Sequence, residues 1–62
     1  MLNIHKANFI GEGPRVKGAA YQIYEQDGKF YSLIVHGPDN WILEDSIEEI
    51  PKEDIGKYII ED

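Results

Sequence analysis

Two β-rich runs, Ala20 to Gln26 and Lys29 to His36, are separated only by Asp27-Gly28, and this dipeptide restricts the fold more than any other feature of the chain. Asp and Gly both tolerate the positive φ angles of a type I′ turn, whose twist matches the strands it joins. The spacing predicts a two-residue hairpin with Glu25 opposite Phe30, Tyr24 opposite Tyr31, Ile23 opposite Ser32, Gln22 opposite Leu33 and Tyr21 opposite Ile34. Side chains alternate along a strand, so Tyr21, Ile23, Phe30 and Ile34 share one face and Tyr24, Tyr31, Leu33 and Val35 the other. Both faces are apolar. A one-sided hairpin needs only one such face, so the second requires cover, either from a sheet bending toward a barrel or from a partner chain.

The flanking segments extend this hairpin into a meander. Residues 2 to 10 carry enough Ile and Phe to read as a first strand. Gly11-Glu12-Gly13-Pro14 then interrupts regular structure and opens a loop to Gly18. His36 to Asn40 reads as a second turn, followed by Trp41-Ile42-Leu43 as a short strand. Ser46 and Glu49 fit a capping box, which predicts one helical turn over residues 46–50, ended by Pro51. Pro51 also suits the first position of a short helix through Tyr58, with a closing strand over Lys57 to Ile60 as the alternative. At 62 residues the chain is expected to form one small domain over 1–62 with a modest core.

The net charge of −6 lies entirely in the last third. Residues 1–40 balance four acids against four bases, whereas residues 41–62 carry eight acids and only Lys52 and Lys57. Isoleucines and Tyr58 interrupt that acidic stretch, so its carboxylates decorate a folded segment. Six scattered bases form no patch for phosphates or anionic lipid, which argues against nucleic acid and membrane as direct partners. Glu44, Asp45, Glu48, Glu49, Glu53 and Asp54 form the main cluster. It reads as a solvated face or as the contact for a basic protein surface.

Catalytic and metal chemistry find little support. The chain has no cysteine, which removes disulfides, thiol chemistry and sulfur-rich zinc sites. His5 and His36 stand far apart in sequence, and the carboxylates lack the ligand spacing of a calcium loop. Ser32 and Ser46 have no triad around them. Gly11-Glu12-Gly13 lacks the third glycine of a dinucleotide fingerprint, since Val16 stands there. No cofactor, metal or enzyme activity is expected. The opening residues do not resemble a secretory signal, and no run approaches the roughly 20 apolar residues of a membrane span, so the expected location is cytoplasmic.

Residues 18–43 carry a Gly-rich entry, Tyr-Gln-Ile-Tyr, the Asp27-Gly28 hairpin, an aromatic-led Phe30-Tyr31 strand, the polar turn Gly37-Pro38-Asp39-Asn40 and Trp41-Ile42-Leu43. This pattern resembles small SH3-like barrel proteins of bacteria and phages. The resemblance implies a fold and no activity. The chain departs from it where a Tyr-Pro pair often follows the third strand, since Glu44-Asp45-Ser46 stands there. It also lacks the motif that builds the proline-peptide groove of signalling SH3 domains.

The combined reading is an all-β or β-dominated, small SH3-like partly open barrel with a β-meander and one short helical turn near residues 46–50. Its expected role is non-catalytic protein binding through Glu44, Asp45, Glu48, Glu49, Glu53 and Asp54, with Trp41 or the Tyr24/Tyr31 face supplying apolar contact. Trp41 also reads as a core or barrel-lid residue, and the Tyr24/Tyr31 pair as cross-strand packing. The concrete form is a phage or mobile-element inhibitor of a host nucleic-acid-binding protein. The alternatives are a structural subunit that forms a homodimer through its second apolar hairpin face and, against the charge sign, a small nucleic-acid-binding barrel.

Overall fold

The computed structural model describes residues 2–59. Four antiparallel strands, β1 (Asn8–Glu12), β2 (Ala19–Gln26), β3 (Lys29–His36) and β4 (Trp41–Ile50), form one sheet in the order β1-β2-β3-β4. A 3-10 turn at Lys52–Asp54 leads into α1 (Ile55–Ile59). The architecture is thus a β-dominated meander with one short helix. The sheet does not close, which fits a partly open barrel. No helix among the described residues is long and apolar enough to cross a membrane.

The β2–β3 hairpin follows its local chemistry. Asp27 and Gly28 take φ values of 55° and 80°, and all five expected cross-strand pairs are present. The first strand is shorter and later than the apolar pattern suggests. Residues 4–6 form a turn, and β1 runs through Gly11 and Glu12, because those two residues pair with Ile23 and Gln22. Ile10 is the extra residue of a bulge between Phe9 and Gly11.

The capping-box expectation at 46–50 is corrected. These residues belong to β4, which continues past Leu43 to Ile50. Pairing with β3 satisfies backbone groups along a longer stretch than one helical turn would, and it buries Ile50. The helix instead follows Pro51, in line with the alternative start at that proline. Ile60, the end of the closing-strand alternative, lies outside the described residues.

The two hairpin faces are covered by opposite ends of the chain. On one, buried Ala20, Leu33 and Val35 pack with Tyr24, Ile42 and Ile47 and with Leu2 and Ile4 of the N-terminal segment. On the other, where Ile23 is fully buried, α1 lies over β2 and β1. The Tyr58 ring meets Tyr21 edge-on at 5.0 Å. Gly13 makes the helix approach possible: a β-carbon there would stand 2.1 Å from the Tyr58 carbonyl oxygen. Cover for the second apolar face thus comes from the chain itself.

Candidate protein-binding edge

Glu44, Asp45, Glu48 and Glu49 share β4, an edge strand hydrogen-bonded to β3 on one side only. Leu43 stands opposite Ile34 and Glu48 opposite Ser32, so Glu44, Asp45, Ser46 and Ile47 together face the single residue Leu33. This wide bulge is pinned by Ser46, whose hydroxyl accepts a hydrogen bond from the Ile34 backbone N–H at 2.8 Å and donates to the Leu43 carbonyl at 2.5 Å. Ile47 turns into the core, while Glu44 and Asp45 remain exposed.

The bulge puts carboxylates beside both faces of the sheet. Glu44 and Asp45 join Trp41, Ile42 and Leu43 around one shallow depression. With Glu48 and Glu49 they also rim a trough that includes Leu2, Ile4, Tyr31, Ile42 and Ile47. The ion pairs found among the described residues are Arg15 with Glu12 at 3.8 Å and Lys57 with Asp54 at 3.2 Å. None of the four β4 carboxylates takes part in either. Asp54 is therefore separated from the rest of the expected cluster by its own cation, and Glu53 sits on the 3-10 turn, outside both depressions.

Trp41 corrects the core or barrel-lid reading: 72% of it is exposed. It pairs with His36 at the end of β3, beyond the part of the sheet that α1 covers. Leu43 follows on the same face and is 41% exposed. Tyr24 and Tyr31 face each other as expected, both half-buried. Tyr31 is opposite Glu49 and lines the trough. Tyr24 is engaged elsewhere. Its ring meets Phe9 edge-on at 5.5 Å, and its hydroxyl donates to Gln22 Oε1 at 2.9 Å. Gln22 Nε2 in turn donates to Glu12 Oε1 at 2.7 Å. Burial raises the Tyr24 pKa, with a smaller contribution from the Glu12 charge.

Other chemistry-bearing groups have structural work. Ser32 is buried between its β2 and β4 neighbours, and the Ser46 hydroxyl is used by the bulge. Among the described residues no group of three or more His, Asp or Glu is placed to hold a metal ion. Gly11 and Glu12 complete β1 rather than opening a loop.

Arg15 escaped notice in the sequence because its partners are distant. Its guanidinium donates to the carbonyls of Gly18 at 3.0 Å and Gly37 at 3.2 Å, and to Asn40 Oδ1 at 2.6 Å. It thereby ties the loop before β2 to the turn that sets Trp41. The hairpin register already contains Tyr21 and half-buried Ile34, to which β4 adds exposed Leu43 on the same face. No family model, curated protein or solved structure matches the chain.

Proposed function

We propose that this open, SH3-like meander is a non-catalytic protein-binding module that engages a basic protein surface through its β4 edge. The observation that carries this reading is the set of four β4 carboxylates without an ion-pair partner among the described residues, next to an exposed tryptophan. Unneutralised charge on an edge strand steers a cationic partner and repels a second anionic copy. An exposed Trp supplies the large contact area typical of interface anchors. The concrete form of the proposal is an inhibitor, of phage or mobile-element type, that sets carboxylates where a nucleic-acid-binding protein holds phosphates.

Affinity capture from a bacterial lysate, with a DNA competitor, tests this. Wild type is expected to retain a basic protein that elutes as salt rises and that DNA displaces. Glu48→Lys/Glu49→Lys, shown by circular dichroism to be folded, is expected to lose it. Equal retention by both proteins, or retention indifferent to salt and DNA, would overturn the proposal.

A further inference from the structure

We infer that the partner element is a short amphipathic, cationic segment that docks on the helix-side face of the sheet, its apolar side chains on Trp41 and Leu43 and its Lys or Arg side chains against Glu44, Asp45 and Glu48. This rests on the acidic-edge reading above and adds the face and the class of ligand. Strand register places Tyr21, Ile34 and Leu43 in one row across β2, β3 and β4, with Ala19, His36 and Trp41 in the next. Helix α1 covers this face over β1 and β2 and borders the row at Tyr21, through Tyr58. At the far end Leu43 is 41% and Trp41 72% exposed. The opposite face is different. There Leu2, Ile4 and Ile47 pack over the sheet.

Charge selects the occupant. Glu48 pairs with Ser32 in the next cross-strand pair beyond Leu43, and Glu44 and Asp45 border the depression that contains Trp41 and Leu43. The same three carboxylates also rim the trough on the opposite face, so they mark the β4 edge and the exposed Trp41 selects the face. The apolar strip therefore has an anionic rim along β4. A second copy would bring its own −6 charge toward that rim, and nucleic acid or an anionic bilayer would meet the same repulsion. A segment that alternates apolar and cationic side chains satisfies both parts of the surface.

The test titrates isotope-labelled protein at about 0.1 M salt with two short lysine-rich peptides of equal charge, one with leucine at alternate positions and one with serine in their place. The leucine peptide is expected to bind at least about tenfold more tightly and to shift the resonances of Trp41, Leu43, Ile34 and Tyr21. Trp41→Ala or Leu43→Ser, with an unchanged melting midpoint, should erase that difference. Equal affinities, or shifts centred on Tyr31 and Ile47, would overturn the helix-side face; loss of that binding in Glu44→Lys/Asp45→Lys would still leave the acidic edge standing. No binding of either peptide would overturn both.

Discussion

A β-carbon at Gly13 would stand 2.1 Å from the Tyr58 carbonyl oxygen and 3.5 Å from the Ile59 Cα. Both are backbone atoms, so relief requires the helix itself to withdraw. Gly13→Ala is therefore expected to cost about 1–3 kcal/mol, read as a lower urea midpoint together with loss of near-ultraviolet signal from the Tyr21–Tyr58 pair; an unchanged midpoint would mean that α1 is not seated on Gly13. Glu25 acts by hydrogen bonding. Its carboxylate accepts from Asn8 Nδ2 at 2.7 Å and from the Gly28 backbone N–H at 2.9 Å, and these bonds, the Asn8 one first, lower its pKa. A depressed folded-state pKa stabilises above the unfolded value, roughly 4.3, and the contribution disappears as pH falls through the folded one. The melting midpoint of wild type should exceed that of Glu25→Ala at neutral pH, with the gap narrowing as pH falls below the unfolded-state value and closing once it passes the lowered folded-state one. A gap that persists undiminished in acid would refute the assignment. The Gly13 contact cannot be read locally, because Gly13 and Tyr58 meet only after the sheet has formed, whereas Glu25 stands two positions before Asp27 and reaches the Gly28 N–H within the same turn.

At the scale of elements, β4 shows one side-chain chemistry put to two uses. Ser46 was expected to cap its own helical turn by accepting a nearby backbone N–H; in the sheet it accepts one from Ile34, twelve positions earlier. The capping signature describes a hydroxyl that satisfies a free amide. It does not say which amide. Ser46→Ala leaves the half-buried Ile34 N–H without that acceptor and frees the Leu43 end of the bulge. The expected loss is about 1–2 kcal/mol, measured by denaturant unfolding with an unchanged m value. A change within about 0.5 kcal/mol would show that the bulge is held by the strand ladder alone. The hairpin behaved differently, since its turn residues and apolar runs act on neighbours within the same stretch of chain. β4 owes its length to β3 beside it, and β1 starts late because Gly11 and Glu12 find partners in β2.

Over the whole molecule, charge segregation and two-faced apolarity were both legible in the order of residues, and so was their consequence that the hairpin could not stand uncovered. The strand-dominated class, the central register and the anionic end required only alternation, turn chemistry and a count of ionisable groups. These properties are set by neighbours a few positions apart. The means of cover was a tertiary matter: Leu2 and Ile4 occupy one face and α1 the other, and the sheet remains open. So was the composition of the candidate site. Asp54 meets Lys57 locally, three positions on, whereas the assembled sheet leaves the four β4 carboxylates outside the ion pairs of the described residues and exposes Trp41, which beside Ile42 and Leu43 reads in the sequence as core. A side chain's burial depends on which distant segment lies over it, and with helix and N-terminal segment both short, each face has room for only partial cover. The exposure that remains, greatest at Trp41, is therefore a property of the assembled sheet.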